Sequence, residues 1–169
     1  MGKSVHPAPA AVSCPEPRPP DRTIPPPSSV GGFHLDDVVW RRLLLTGGTD
    51  VHVPGEPAQI QQVVMNLVQN ACDATAGQHP ALLEIRGQIA AAGARREVVL
   101  DFHDNGSGIE DRHLPHIFDP FFTTKPVGSG TGLGLSISYG IVERHGGRLT
   151  AGNHPRGGAC FTLRLPLAD

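Results

Sequence analysis

The sequence predicts an α+β fold: a two-layer α/β sandwich with helices on one face of a mixed, mainly antiparallel sheet. Apolar residues recur at helical spacing in the segments 57–76 and 134–145. Two pairs of segments, one pair between these helical segments and one pair after them, have the residue pattern of strands joined by turns. Packing both helices on one sheet buries both kinds of apolar surface. A chain of 169 residues has room for one such domain.

Composition and charge exclude several classes of function. The formal net charge is −2, and lysine and arginine do not cluster, so neither nucleic acid nor an anionic membrane surface is an expected partner. No apolar run approaches the ~20 residues that a membrane span requires. The cysteines, Cys14, Cys72 and Cys160, do not form a metal motif. Because no signal-peptide pattern is present either, a reduced, cytoplasmic setting is predicted.

The N-terminal segment differs from the rest in composition. Residues 1–32 contain nine of the 17 prolines and almost no large apolar side chains. Such a segment cannot bury enough surface to offset its ordering entropy, so a disordered tail or linker is expected. Residues 33–169 then form the folded domain. Within it, apolar spacing predicts a short amphipathic helix over 33–45, and 51–53 is a candidate short strand.

The next elements have stronger signals. Pro57 suits the first position of a helix, and the apolar pattern continues to about residue 76. Strands are predicted over 82–92 and 97–103, with a turn at Gly93. The residues that carry the helical pattern are Ile60, Val63, Val64, Leu67, Val68 and Ala71.

A glycine-rich stretch leads into the second helix. Glycines occupy alternate positions over 128–134, after an aromatic knot of Phe118, Phe121 and Phe122 and one cation, Lys125. Glycine lets the backbone approach a ligand closely, and the free N–H groups of a helix's first turn favour negative charge. The stretch therefore predicts an anion-binding loop.

The C-terminal part completes the two layers. Segment 113–126 is expected to be a loop with one short helical turn at most. A helix is predicted over 134–145, followed by strands over 148–151 and 159–165 with a polar turn between them. The helix residues predicted to be buried are Ile137, Ile141 and Val142.

Two asparagines on the first helix are candidate metal ligands. Asn66 and Asn70 are four residues apart and project from one face, and Asp73 continues the line. Mg²⁺ prefers hard oxygen ligands and completes its shell with waters and phosphate oxygens. Taken alone, the pair is more readily explained as an ordinary solvated helix face.

The segment Asp104-Asn105-Gly106-Ser107-Gly108 has two interpretations. Its residue types are those of a tight turn after a strand, and alone it is read as one. The functional interpretation is that a buried Asp104 carboxylate accepts a hydrogen bond from the amino group of a base. The glycines would then let a flat ring lie against the backbone.

Taken together, four segments resemble the motifs of sensor histidine kinases. Residues 66–74 are similar to the N box, 104–109 to the G1 box, 118–125 to the F box and 130–135 to the G2 box, in the family's order and spacing. Four motifs in register over about residues 33–167 are very specific, whereas one would be weak. The resemblance is to the catalytic, ATP-binding domain of two-component kinases, in the GHKL superfamily. It implies a Bergerat-type ATP-binding fold.

The resemblance implies a role for each matched residue. Asp104 would bind the adenine amino group, Asn70 would be the principal Mg²⁺ ligand, and Asn66 would be a second polar contact near the phosphates. Lys125 would be a phosphate cation, so the implied catalytic set is Asn66, Asn70 and Lys125. The implied nucleotide-binding set is Asn66, Asn70, Asp73, Asp104, Gly106, Gly108, Ile109, Phe118, Thr123, Thr124, Lys125, Gly130, Thr131, Gly132, Leu133, Gly134 and Leu135.

Position 66 bears on the type of reaction. Hydrolysing relatives in the superfamily carry a glutamate base there, whereas the amide of Asn66 cannot act as a general base at neutral pH. A site without a base to activate water is expected to hydrolyse ATP poorly and to depend on an external nucleophile. This favours phosphotransfer to a histidine over ATP turnover.

The chain departs from the family pattern in four places. No helical hairpin bearing a phosphoacceptor histidine is found, so the chain is expected not to autophosphorylate on its own. The 45–54 stretch is short for the family, which predicts an incomplete sheet edge. Asp73 stands where many members have a lysine that reaches phosphate. Ala159 stands where threonine is frequent near adenine.

The leading hypothesis is the ATP-binding catalytic domain of a two-component sensor histidine kinase. It would bind Mg²⁺ and ATP and transfer the γ-phosphate to a histidine on a dimerisation domain, in cis or in trans, upstream of a response regulator. One alternative is a nucleotide-binding regulatory module without productive transfer. A stand-alone ATPase is disfavoured by Asn66, and a protein-serine kinase by the F box. Segment 113–131 is expected to be a lid that is mobile without nucleotide and orders when ATP binds.

Overall fold

The computed structural model describes residues 38–46, 52–92, 95–126 and 130–168. The proline-rich segment 1–32, for which a tail or linker is predicted, lies outside these ranges. So do the predicted turn residue Gly93 and the first glycine of the glycine-rich stretch, Gly128.

A five-stranded sheet forms one layer of the described part of the chain. The strands are β1 Val38–Thr46, β2 Ala81–Ala92, β3 Arg95–Asp104, β4 Arg148–Asn153 and β5 Ala159–Pro166. Their order across the sheet is β1-β2-β3-β5-β4. β1 runs parallel to β2, and the other neighbouring pairs are antiparallel, which confirms the mixed, mainly antiparallel sheet.

The first strand corrects a prediction. Apolar spacing over 33–45 predicts a helix, whereas Val38–Thr46 is a strand. Pairing with β2, from Val38 opposite Ala81 to Thr46 opposite Gln88, supplies backbone hydrogen bonds that helical spacing does not anticipate. β1 also forms the sheet edge that was expected to be incomplete. His52 and Val53, from the candidate strand over 51–53, are not in a strand.

Two helices form the second layer of the described ranges, α1 Pro57–Ala74 and α2 Gly134–Arg144. α1 lies against β2 and β3, α2 lies against β4 and β5, and the helices contact each other. This confirms the predicted two-layer sandwich. A single 3-10 turn, Leu114–His116, is the short helical turn expected within segment 113–126.

One apolar core lies between the layers. Val63, Leu67 and Ala71 contribute from α1, and Ile141 and Val142 contribute from α2. Burial of each large apolar side chain stabilises the fold by about 1.5–3 kcal/mol, so this core is the main source of stability. The sheet supplies Leu83, Phe102, Leu149, Ala159, Phe161, Leu163 and Leu165.

Ile137 is an exception to the predicted burial of α2. Its side chain is 41% exposed, whereas Ser138, the next residue, is fully buried. Ser138, Ile141 and Val142 form the buried stripe of α2. Ile137 lies roughly 90° around the helix from the centre of that stripe. A serine lies in the stripe because its hydroxyl has hydrogen-bonding partners there, as described below.

His145 joins the ends of the two helices. Its Nε2 accepts a hydrogen bond from the backbone N–H of Glu56, the N-cap residue of α1, at 3.1 Å. Its Nδ1 lies 2.8 Å from the carbonyl oxygen of Ile141 in α2. A neutral imidazole with its proton on Nδ1 satisfies both contacts. These bonds join the start of α1 to the end of α2, so they lie at the opposite end of α2 from its contact with Asn66.

Candidate functional site

One face of α1 contacts each of the other three motifs. Asn66 hydrogen bonds to the carbonyl oxygen of the first residue of α2, in the G2 motif. Asp73 forms an ion pair with Lys125 of the F box. Ala74 packs against Gly106 of the G1 segment so closely that a Cβ at position 106 would overlap its backbone. Segments that are far apart in sequence thus meet along little more than two turns of one helix.

Asn66 ties α1 to the first turn of α2. Its Nδ2 donates to the carbonyl oxygen of Gly134 at 3.1 Å and to Ser138 Oγ at 3.0 Å. The Ser138 hydroxyl donates in turn to the Gly134 carbonyl oxygen at 2.9 Å. The sequence predicts that Asn66 is a polar contact near phosphates. The structure adds a helix–helix hydrogen bond that places this amide at the start of α2.

Asn70 lies one turn further along the same face. Its side chain is half-buried, and no described residue forms a hydrogen bond with it. An amide oxygen in this position fits Mg²⁺, which takes one or two protein oxygens and completes its shell with waters and phosphate oxygens. The described residues contain no cluster of three or more side chains that could hold a metal without such added ligands. Asn70 is thus the candidate metal ligand.

Asp104 is the buried acid of the site. The residue is 3% exposed, and its Oδ1 accepts hydrogen bonds from the backbone N–H groups of Gly106 at 2.9 Å and Ala159 at 3.1 Å. Burial raises the pKa of the Asp104 carboxyl above its ordinary value, and these two N–H groups oppose that shift in part. Its other oxygen, Oδ2, accepts no hydrogen bond from the described residues. One carboxylate oxygen is therefore held in place while the other can accept from a ligand.

The G1 segment is anchored near its start by Asn105. Asn105 Oδ1 accepts from the Leu82 N–H at 2.8 Å, and Asn105 Nδ2 donates to the Pro80 carbonyl oxygen at 2.9 Å. These bonds fix the segment to the beginning of β2. Ile109, at the other end of the segment, is partly buried against the core. The predicted site residues of this motif are therefore held on the same side of the sheet as α1.

The F box contains two partly buried aromatic residues, Phe118 and Phe122, and one exposed aromatic residue, Phe121. Phe118 packs against Tyr139 of α2, with ring centroids 5.1 Å apart. The ring of Phe122 lies edge-on to the ring of His113, with ring centroids 5.5 Å apart. Phe121 does not join the predicted aromatic knot, because its side chain is 74% exposed. Its backbone has a positive φ of 67°, and its N–H donates to the Gly132 carbonyl oxygen at 2.9 Å.

Lys125 is held beside α1 by its ion pair with Asp73. Its backbone N–H donates to Thr123 Oγ1 at 3.2 Å, and Gly130 packs against both of these residues. Thr124 is exposed. The predicted F-box residues and the described start of the G2 motif are thus adjacent, and they lie next to the N-box helix.

The start of α2 has no side-chain cap. Leu133 is the N-cap residue, and the first turn contains no acidic residue. Thr131 Oγ1 accepts from the Leu133 N–H at 3.4 Å, and Leu135 is partly buried against the core. The orphan N–H groups and the dipole of such a helix end favour an anion. The start of α2 can therefore bind an anion, and its role in binding phosphate stays a prediction.

Two side-chain contacts of α1 were not anticipated from the sequence. Ser138 has the spacing of a core position on α2, and only its polar side chain hints at the partner on α1. The pairing of Asp73 with Lys125 joins residues 52 positions apart, which no local spacing predicts. Opposite charges in two motifs that are expected to approach one phosphate were the available signal.

The fold and the convergence of the motifs on α1 define a class of nucleotide-binding domain, and the family comparison agrees. Residues 55–169 match the family described as "Histidine kinase-, DNA gyrase B-, and HSP90-like ATPase". This match spans more than half of the chain, and the chain belongs to this family. It is an ATP-binding catalytic domain of the sensor histidine kinase type.

Individual relatives give the same assignment. The two-component sensor PprA of Pseudomonas aeruginosa is 49% identical over 118 residues, which cover 69% of this chain and 13% of that protein. The sensor protein FixL of Bradyrhizobium diazoefficiens is 41% identical over 131 residues, which cover 78% of this chain and 25% of that protein. The chain thus spans a quarter or less of the length of these curated relatives.

A solved structure shares the architecture. The nucleotide-free catalytic domain of the histidine kinase ThkA superposes with a TM-score of 0.63 at 31% identity, covering 77% of this chain and 80% of that one. The mycobacterial sensor histidine kinase MprB superposes with a TM-score of 0.63 at 24% identity, which supports the fold alone. In the ranges that the structure describes, no helix has the length and apolar character needed to cross a membrane.

Proposed function

We propose that this domain binds Mg²⁺·ATP and transfers the γ-phosphate to a histidine supplied by another domain or chain. The observation that carries the proposal is the convergence of three motifs on the face of α1 that presents Asn70. In this proposal the acceptor histidine lies on a dimerisation domain, and a downstream response regulator receives the phosphate. The proposed setting is cytoplasmic.

Asp104 provides the recognition of the base. Its free carboxylate oxygen accepts a hydrogen bond from the 6-amino group of adenine. Guanine has a carbonyl oxygen at that position, so the same carboxylate repels it. The G1 glycines and Ile109 form the wall on which the ring lies. The site is therefore selective for ATP over GTP.

The phosphates lie between α1 and the start of α2. Asn70 would ligate Mg²⁺ there, and the ion would neutralise phosphate charge. The N–H groups at the start of α2 and the ammonium group of Lys125 face the phosphate oxygens. Three threonines supply further hydroxyl groups near the phosphates: Thr123, Thr124 and Thr131.

The lack of a base at position 66 favours transfer over hydrolysis. The Asn66 amide has no basic group, and its nitrogen is engaged with α2. Water at the γ-phosphate therefore has no activating side chain from this position. An incoming imidazole is already a nucleophile, and the site's contribution is positioning and charge neutralisation.

One observation favours a second candidate function, a nucleotide-binding regulatory module without productive transfer. The proposed phosphate cation, Lys125, is paired with the Asp73 carboxylate, which lowers the positive charge available to phosphate. In that case ATP binds without transfer to an acceptor.

A transfer assay tests both functions. The chain is mixed with Mg²⁺ and γ-labelled ATP, with and without a dimerisation domain bearing its phosphoacceptor histidine. Acid-labile label on the acceptor is the expected result, and Asn70→Ala should abolish it. ATP binding with no label on any acceptor would establish the regulatory alternative. Rapid phosphate release without an acceptor, abolished by Asn70→Ala, would contradict the role assigned to position 66.

A further inference from the structure

Asn153, the last residue of β4, holds the backbone of Ile109 through both sides of its side-chain amide. Its Oδ1 accepts from the Ile109 N–H at 2.7 Å, and its Nδ2 donates to the Ile109 carbonyl oxygen at 2.6 Å. A side-chain amide presents one acceptor and one donor side, as a peptide group does, so this contact resembles the paired hydrogen bonds between two strands. The reversed amide would oppose donor to donor and acceptor to acceptor, so the orientation is determined.

The contact between the Asn153 amide and the Ile109 backbone also depends on the residue before Ile109. Gly108 has a φ of +74°, and a Cβ there would lie 2.8 Å from Asn153 Oδ1. Glycine is therefore needed both for the left-handed backbone and for the space that the amide occupies. Asn153 thus sets the position of the end of the G1 segment relative to the sheet.

The same turn between β4 and β5 holds the beginning of the G1 segment. The N–H of Ala159, the first residue of β5, donates to Asp104 Oδ1 at 3.1 Å. Gly158 packs against the carbonyl oxygen of Asp104 so closely that no Cβ fits between them. The two ends of the turn, Asn153 and Ala159, therefore hold the two ends of the G1 segment, Ile109 and Asp104.

We propose that Asn153 is a positioning residue of the nucleotide site, whose amide holds Ile109 so that the G1 segment forms a flat wall beside the base. This inference rests on the proposed function, because it requires Asp104 and Ile109 to face adenine. Asn153 lies outside the four motifs. It acts on the base side of the nucleotide, so its loss weakens ATP and ADP binding by the same factor.

Calorimetric titration of Asn153→Ala with Mg²⁺·ATP and Mg²⁺·ADP tests the inference, together with amide hydrogen exchange at Ile109. The expected result is a rise in Kd of about five- to tenfold for both nucleotides, with faster exchange of the Ile109 N–H. Lys125→Ala is the contrasting variant, since loss of a phosphate contact weakens ATP more than ADP.

His145→Ala controls for general loss of stability. It removes a side chain that makes two backbone contacts where the start of α1 meets the end of α2. This variant is expected to keep the wild-type Kd for ATP. The inference is overturned if Asn153→Ala binds ATP with wild-type affinity, if the Ile109 N–H stays protected in that variant, or if His145→Ala raises Kd equally. Failure of the wild-type chain to bind ATP would instead refute the proposed function on which the inference rests.

Discussion

At the scale of one residue, the proposed binding role of Asp104 opposes stability. Its carboxyl is buried, and burial raises its pKa, so folding shifts this group toward its protonated form relative to the unfolded chain. Recognition of an amino group requires the ionised form. The raised pKa contributes stability at low pH, and this contribution is lost as pH rises through the raised value. The ionised carboxylate that would accept from an amino group is therefore the form that burial disfavours.

Asp104→Asn is expected to separate these two roles. ATP affinity at neutral pH should fall about tenfold or more, because a charged acceptor is replaced by an amide. The free energy of unfolding should be equal to or higher than that of the wild type at pH 7, and this difference should shrink as pH falls. Calorimetric titration and urea unfolding across pH measure the two quantities. Loss of affinity together with lower stability at neutral pH would contradict this account.

Asn66 is expected to contribute to folding as well as to the site. Its amide satisfies the fully buried hydroxyl of Ser138, so Asn66→Ala leaves a buried polar group with one fewer partner. The expected decrease in the free energy of unfolding is about 1–3 kcal/mol, measured by urea denaturation. Gln62→Ala, at an exposed position on α1, is the matched control and should change stability by less than about 0.5 kcal/mol. Equal effects of the two substitutions would show that the tie to α2 contributes nothing.

At the scale of elements, the ion pair between Asp73 and Lys125 joins α1 to the F box. Both side chains are partly exposed, so the pair is weak as a source of stability. Its consequence in the proposed function is electrostatic, because the Asp73 carboxylate would compete with phosphate for Lys125. The departure at position 73, where many family members have lysine, thus has a partner in this chain.

Asp73→Asn is expected to strengthen ATP binding. Removal of the carboxylate frees Lys125 and lowers the negative charge near the phosphates. The expected decrease in Kd is about two- to fivefold at low salt, and smaller at high salt, because partly exposed charges are screened. Titrations at two ionic strengths measure it. Gln69→Ala, which removes the other contact of Asp73 but keeps its charge, should leave Kd unchanged. A higher Kd for Asp73→Asn would show instead that the carboxylate assists binding.

The lid remains a prediction at this scale. Phe118 packs on Tyr139 of α2, and the Phe121 N–H donates to the carbonyl oxygen of Gly132 in the loop before α2, so the described F box is held to that helix and to the loop that precedes it. Amide hydrogen exchange should show less protection across 113–126 without nucleotide than in the helices, and a clear gain with Mg²⁺·ATP. Equal protection in the two states would remove the lid from the mechanism.

At the scale of the whole molecule, the apolar core, the sheet and the contact between the two helices together position the candidate site. The core orients α1, the sheet places Asp104 at the end of β3, and the contact between helices brings the start of α2 to Asn66. Most of this fold was predictable, because α1, α2 and four strands follow from apolar spacing within each segment. The helix predicted over 33–45 was wrong, since pairing with β2 makes 38–46 a strand.

The motifs of the candidate site were predictable from the sequence, whereas the side-chain contacts between them were not. The residue types of the four motifs indicate a nucleotide site of this family, and the family comparison agrees. The sequence alone did not indicate that Asn66 holds Ser138, that Asp73 pairs with Lys125, that Phe121 is exposed, or that Asn153 holds Ile109.

The sequence by itself determined the class of domain, the two helices and the four motifs, because these depend on residue types and on spacing within one element. The tertiary structure decided which side chains of different elements meet. Helical and strand periods specify the face on which a residue lies, but not the rotation of a helix against its neighbour or the register between strands. Those are set by packing and pairing over the whole domain.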